Sequence, residues 1–276
     1  MVRYLIICAV LCLTIFPVHA CTVFVLTDTN RVLFCNNEDG APPKTRIWFV
    51  PGDRKHHSCV YVGYDDGGAQ GGMNTEGLAF DWLAGWRESW KPDHRLPKAR
   101  CHEQLLENCA TVEEAITFYR DHAEASFWYA KILVTDKSGA SALIGAHEGK
   151  LQVLRSTNSW GLGYGGATLQ RMLGESSEPT VNNGVRILRA CLQKGQNATR
   201  YFNILDVRSG EIYLFPFPDK DDEVQLSLGT ELSQGRHYYD MAKIHEQLQR
   251  APRPLPANIR CWVWAPRLSS PKDSRN

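Results

Sequence analysis

The chain has 276 residues, with 31 Lys and Arg against 30 Asp and Glu, and 43% of it is hydrophobic. That balance leaves no basic excess for gripping nucleic acid, and beyond residue 20 no apolar run reaches the roughly 18–20 residues that span a bilayer. What remains is the composition of one large globular domain, with length enough for a substantial core.

The first twenty residues differ in character from the rest. Arg3 is followed by an apolar run from Tyr4 to Phe16, a helix-breaking Pro17, and Val18 and Ala20 at the small-residue positions that a signal peptidase inspects. Residues 1–20 therefore read as a signal peptide for a secreted chain, extracellular or, in a bacterium, periplasmic. Cleavage after Ala20 leaves Cys21 as residue one. A cysteine at a free N-terminus carries a thiol and an α-amine together, and with a pKa of about 7.7–8.0 that amine can take the thiol proton without a histidine partner. Two other readings of Cys21 stand beside this one. It could be the first disulfide cysteine of a secreted protein, or the acylated anchor of a lipoprotein, a pattern that His19 fits poorly.

Nine cysteines are present, and Cys8 and Cys12 fall in the leader. With Cys21 set aside as a free thiol, Cys35, Cys59, Cys101, Cys109, Cys191 and Cys261 are left for up to three disulfides of unspecified pairing. No CxxC or HExxH pattern occurs and the histidines are scattered, so neither a metal nor a cofactor is expected, and His56, His57 and His237 read as surface residues.

In chain order, Cys21 to Leu26 and Arg31 to Cys35 are β-branched, apolar runs around a polar turn, a hairpin that would hold Cys21 rigidly. The second strand runs into the polar cluster from Asn36 to Gly40, which is either a turn or a pocket wall beside the nucleophile. After Pro42 and Pro43, strands are predicted over Arg46 to Val50, Ser58 to Gly63 and Gly77 to Leu83, with loops at Asp65 to Gly68 and Gly71 to Asn74. The glycines around Asn74 make it either a turn residue or a ligand contact. Helical spacing covers Cys101 to Asn108, and Thr111 with Glu114 is a capping box opening a second helix. A β-meander follows over Phe127 to Val134, Ala140 to Ile144 and Leu151 to Leu154, ending at a polar patch from Ser156 to Ser159. Thr168 to Leu173 and Thr180 to Leu192 read as helices, Asn197 begins a glycosylation sequon, and Tyr201 to Val207 with Glu211 to Phe217 form a last hairpin. Tyr239 to Leu248 reads as helix and residues 266–276 as a disordered tail, which leaves a single domain over 21–265. Strand runs separated by helix pairs imply an α+β chain of layered sheets with helices packed outside them.

Three matches together carry a family resemblance. Cys21 and Thr22 opening a strand, Asn37 and Asp39 ending the next, and Thr157, Asn158 and Ser159 after the meander resemble the choloylglycine hydrolase and penicillin V acylase family, which also contains acid ceramidase and N-acylethanolamine acid amidase. The stretch from Gly72 to Leu78 and the hairpin at Asp136 to Gly139 are similar too, so the resemblance spans most of residues 21–217. It implies a four-layer αββα sandwich of two antiparallel sheets and hydrolysis of a linear, non-peptide amide bond, with an N-acyl amide as substrate. In this reading Cys21 is the acyl-accepting nucleophile, Asp39 orients its amine, and Asn158 stabilises the oxyanion with a second donor from a backbone N–H between Asp81 and Ala84. Asn36, Asn37, Asn74, Asp81 and Trp82 become candidate substrate contacts, and Trp48, Trp82, Trp86 and Trp90 hint at an apolar acyl pocket. Asn36 is the departure, because the bile-salt and penicillin enzymes carry an arginine there. Arg46 and Arg171 are the candidates to replace that charge from elsewhere. Two other functions stay open, acyl transfer to an amine from the same Cys21 thioester, and a non-catalytic binding protein that keeps the fold.

Overall fold

The computed structural model describes residues 21–40, 44–65, 68–97 and 102–255. The leader 1–20, Pro42, Pro43, Cys101, Cys261 and the tail 266–276 lie outside the described residues. β1 (Thr22–Thr27) and β2 (Val32–Asp39) form the first hairpin, with Thr22 opposite Asn37 and Thr27 opposite Val32. Their turn is closed by the Asp28 carboxylate, which accepts from the N–H groups of Asn30 and Arg31 at 2.7 Å each, the Asx geometry that lets aspartate replace a backbone turn bond.

β3 (Thr45–Val50), β4 (Cys59–Tyr64), β5 (Ala69–Asn74) and β6 (Ala79–Ala84) follow as an antiparallel run. Two helices interrupt it, α1 (His102–Asn108) and α2 (Val112–Asp121), the second opened by the expected capping box of Thr111 and Glu114. The meander is β7 (Ala130–Thr135), β8 (Ser141–His147) and β9 (Lys150–Ser156), and β10 (Trp160–Gly163) leads into α3 (Gly166–Glu175) and α4 (Val181–Ala190). β11 (Thr199–Asp206), β12 (Glu211–Phe215), β13 (Val224–Ser227), α5 (Leu228–Ser233), β14 (His237–Asp240), α6 (Ile244–Leu248) and β15 (Arg253–Pro254) complete the chain. One sheet has the order β10-β1-β2-β11-β12-β13 and the other β15-β14-β3-β4-β5-β6-β7-β8-β9.

Alternation along each strand assigns the layers. Val23, Val25, Val32 and Phe34 of the first sheet pack on Ile47, Phe49, Val60, Met73 and Leu133 of the second, so the main core lies between the sheets. The opposite face of the first sheet, with Phe24, Leu33 and Cys35, packs on Leu169 of α3 and Ile187 and Leu188 of α4. Tyr61, Phe80 and Ile132 on the outer face of the second sheet pack under α1 and α2 through Leu105, Leu106 and Ile116. The layers run helix, sheet, sheet, helix, as the resemblance implied.

Four expectations change. Asn36 to Asp39 is no turn but the end of β2, buried along its length and paired with β11, with Asn36 and Asn37 paired with β1 as well. Gly71 to Asn74 is strand, because glycine there makes room rather than a bend: a Cβ on Gly71 would come within 2.1 Å of Asp81 Oδ2. Tyr239 to Leu248 is helical only from Met241 on, since β14 takes Tyr239 and Asp240. His237 is buried, not exposed, with Nε2 at 2.9 Å from Glu231 Oε2. The disulfide expectation also narrows, because no bond joins any two of the five described cysteines, all of them buried.

Asn74 shows what holds α1 on its sheet. Its Nδ2 donates to the carbonyls of Leu106 at 2.8 Å and Cys109 at 2.7 Å, and its Oδ1 accepts from Leu78 N at 2.9 Å. Carbonyls at a helix C-terminus have no partner inside the helix, so this side chain satisfies groups that burial would otherwise leave bare. Asn74→Ala is expected to cost about 2–4 kcal/mol of stability, three buried bonds at roughly 1 kcal/mol each. Urea unfolding followed by circular dichroism reads this, and an unchanged midpoint would remove Asn74 from its bracing role.

Candidate active site

Cys21 enters β1 at the edge of the inter-sheet layer, only 5% exposed. Its carbonyl accepts from Tyr164 N at 2.7 Å, and the Thr22 hydroxyl donates to Tyr164 O at 2.9 Å, so the segment after β10 pins the residue from one side. From the other side the Asp39 carboxylate holds its nitrogen, with Oδ2 accepting at 3.0 Å. The other oxygen, Oδ1, accepts from the Thr199 hydroxyl at 2.5 Å, and that hydroxyl accepts in turn from Gln193 N at 2.9 Å. Asp39 therefore bridges the start of β1 to the start of β11. Cys21 itself has φ +67°, a left-handed backbone that costs a non-glycine residue about 1–2 kcal/mol.

The electrostatics are dominated by burial and by carboxylates. Burial pushes the Cys21 thiol up, and Glu38, Asp39 and Asp81 push it further the same way. Asp39 is raised by burial to about 6, held down only by its bonds from Thr199 and Cys21. Glu38 is raised by burial, against the bond of 2.7 Å that its Oε1 accepts from the Tyr64 hydroxyl across the two sheets. Asp81 is raised by burial and then by Glu38, since two like charges in one dry site oppose each other's ionisation.

Strand parity explains how these groups converge. Asn36 and Glu38 follow Val32 and Phe34 onto the inner face of β2, Asn203 lies between the inward Tyr201 and Leu205 of β11, and Asp81 lies between the inward Ala79 and Leu83 of β6. Asn36 and Asn203 are direct partners across β2 and β11. Both amide atoms of Asn36 and of Asn203, both carboxylate oxygens of Asp81, Glu38 Oε2 and the Tyr201 hydroxyl are buried without a hydrogen-bond partner among the described residues. A polar stripe this poorly satisfied is unusual in a core otherwise built of valine, leucine and phenylalanine.

The structure thus brings Cys21, Asp39, Asn36 and Asp81 of the sequence candidates together and places the others elsewhere. Asn37 points to the helix side of β2 and donates to Leu188 O of α4 at 2.9 Å. Asn74 is the α1 brace described above. Trp82 packs in the outer layer beside Phe127, 5.8 Å between ring centres, and Trp48 and Trp90 belong to that same outer layer, while Trp86 alone packs against the inter-sheet core. Asn158 is exposed beside Ser159, whose hydroxyl accepts from Thr27 N at 2.9 Å at the far end of β1. Six strand residues separate that end from Cys21, about 20 Å, too far for an oxyanion donor. Arg46 is bound to Asp240 at 2.9 Å and Arg171 to Glu175 on α3, so neither replaces the arginine absent at Asn36. Sequence reasoning missed Tyr64, Thr199, Tyr201 and Asn203. The one available signal was Asn203 alone between Tyr201 and Val207, a lone amide in an apolar strand.

No family model matches the sequence, and no curated protein matches it. Solved structures do. Penicillin V acylase from Agrobacterium tumefaciens superposes with a TM-score of 0.62 at 14% identity, covering 80% of this chain and 91% of the acylase. A cysteine mutant of conjugated bile acid hydrolase from Clostridium perfringens gives 0.60 at 14% identity, with 80% and 95% covered. An arginine variant of the same hydrolase gives 0.62 at 12% identity, with 86% and 99% covered. The chain has the fold of penicillin V acylase and conjugated bile acid hydrolase, the family its motifs resemble.

Proposed function

We propose that this protein is a secreted amide hydrolase whose nucleophile is the thiol of Cys21, exposed at a new N-terminus by cleavage after Ala20. The observation that carries this reading is the 3.0 Å contact between the Cys21 nitrogen and the Asp39 carboxylate, on a fold shared with two amide-cleaving enzymes. In the uncut chain that nitrogen is a peptide N–H. In the cut chain it is an amine held where it can serve the thiol.

The chemistry follows from the surroundings. A thiol pushed up by burial and three carboxylates is inert until a base removes its proton. The neighbouring amine supplies that base, and Asp39 fixes its direction. The sulfur attacks the amide carbon as its proton passes to the amine, and the resulting ammonium then protonates the leaving nitrogen as the C–N bond breaks. Water, deprotonated by the same amine, opens the thioester and releases the acid. The unpartnered side-chain amides of Asn36 and Asn203 are the donors available to the oxyanion, a role worth about 3 kcal/mol per donor. Every step balances without a metal or cofactor.

On this reading Cys21→Ala abolishes turnover of an N-acyl amide panel, and Asp39→Asn lowers kcat on the order of 100-fold by misplacing the amine. Intact mass of a quenched reaction shows the acyl adduct on the first residue. A Cys21→Ala chain that still turns over, or an adduct elsewhere, would overturn the mechanism.

The same geometry fixes a titration. In a chain still joined to Ala20, Asp39 titrates near the value of about 6 that burial gives it, and in a chain that starts at Cys21 it falls, because the ammonium favours the carboxylate. Since the pKa is raised from 3.8, the uncut chain loses stability as pH climbs from that value through about 6, and Asp39→Asn flattens that stretch. Carboxyl-carbon NMR of the two chains reads the shift, and identical values would mean that the Cys21 nitrogen does not engage Asp39.

A further inference from the structure

The charge inventory around Cys21 does not close. Glu38, Asp39 and Asp81 are 2%, 4% and 1% exposed, and among the described residues no lysine, arginine or histidine forms an ion pair with any of them. Cleavage before Cys21 supplies one cation, the α-ammonium, and Asp39 already holds that nitrogen. Glu38 and Asp81 remain, one from each sheet, with three of their four oxygens unpartnered. Asn36 and Asn203 add two further carbonyl oxygens on the same inner face, each buried and without a donor. The stripe therefore sets five unpartnered acceptors, Glu38 Oε2, both Asp81 oxygens and the Asn36 and Asn203 carbonyl oxygens, against three unpartnered donors, the two amide nitrogens and the Tyr201 hydroxyl, with no side-chain cation beside them among the described residues.

From these unpartnered groups we infer that the site takes an amide substrate bearing a cationic amine, whose ammonium seats between Glu38 and Asp81. An ammonium brings three donors and no acceptor, which matches Glu38 Oε2, an Asp81 oxygen and an Asn36 or Asn203 carbonyl oxygen. An ammonium between them favours the ionised form of both carboxyls, which burial and their mutual repulsion otherwise oppose, whereas a carboxylate or sulfonate in the same place would meet two acidic groups with no cation to offset it. A neutral alkyl group would leave the acceptors bare, which is how buried polar groups reject a ligand lacking the complementary group. The inference rests on the reading of Cys21 as nucleophile for its catalytic sense, and its binding half can be tested without it.

The test uses the chain that begins at residue 21 and three amides with one common acyl group: the mono-amide of 1,5-diaminopentane, the hexylamide that replaces ammonium by methyl, and the amide of 6-aminohexanoate. A second trio carries the same three end groups on the acyl side. The ammonium member of one trio is expected to show kcat/KM at least tenfold above its neutral partner and further above the anion, and Glu38→Gln and Asp81→Asn each bring that ratio toward one, whatever their absolute rates. Calorimetry with the Cys21→Ala chain measures the same ratios in Kd. Turnover with no preference for charge, or with the anion preferred, overturns the cation site and leaves the hydrolase standing. Tenfold or greater selectivity for the ammonium in Kd, with no turnover by the unmodified chain, supports the cation site and sinks the hydrolase. Equal Kd for ammonium and methyl members of both trios overturns the inference outright.

Discussion

The geometry around the first strand depends on one carboxylate. Asp39 ends β2 with both oxygens engaged, one on the nitrogen of Cys21 and one on the hydroxyl of Thr199. β2 lies between β1 and β11 in the sheet, so these bonds tie the ends of three adjacent strands at one point. The sheet places Cys21 through its ladder, but only Asp39 sets the direction of its nitrogen. Burial makes such a carboxylate uncomfortable when ionised, and a positive neighbour relieves it. A positional contact is thus also an electrostatic one.

The inner face of the first sheet reads as a hydrophobic stripe that turns polar over its last third. Val32 and Phe34 pass into Asn36 and Glu38 on β2, and Leu205 gives way to Asn203 on β11. Each unsatisfied group there costs about 1–3 kcal/mol relative to a bonded one. Packed apolar side chains at the same positions would make a more stable sandwich. His237, stacked on Phe49 of the same inter-sheet core, is paired with Glu231, whereas the stripe at the end that carries Cys21 is left largely unpaired, a loss of stability of the kind that a functional site carries and in line with the site proposed there.

Much of this was legible in the sequence, and the failures share a cause. The first hairpin, the capping box at Thr111, the meander and the final hairpin announce themselves by local pattern. Period and caps are properties of a few neighbouring residues. Asn36 to Asp39 has the local look of a turn because Asn, Glu and Asp favour turns, yet pairing with β11, and of Asn36 and Asn37 with β1 as well, overrides that preference. The same tertiary override makes a strand of the glycines at 71 and 72. Trp82 adjoins Asp81, but a strand sends neighbours to opposite faces, so only one of them could reach the site. Asn158 follows the meander as the motif resemblance asks, and the register of β10 on β1 carries it away from Cys21. That register is a long-range fact that no local pattern contains. Tyr201 was unreadable for the same reason, and Asn203 showed only as a lone amide in an apolar strand.

The backbone at Cys21 has one more consequence. Its φ of +67° is a torsion about the N–Cα bond measured from the carbonyl carbon of the preceding residue. Remove that residue and the torsion no longer exists, so the strain it carries vanishes with the bond. A chain with a residue before Cys21 carries that torsion, and a chain that starts at Cys21 does not. On the proposed cleavage after Ala20, any residue left before Cys21, an initiator methionine or an affinity tag included, restores a torsion there and caps the amine in the same stroke. On that proposal, recombinant protein that keeps a residue before Cys21 differs from a chain that starts there in backbone as well as in chemistry.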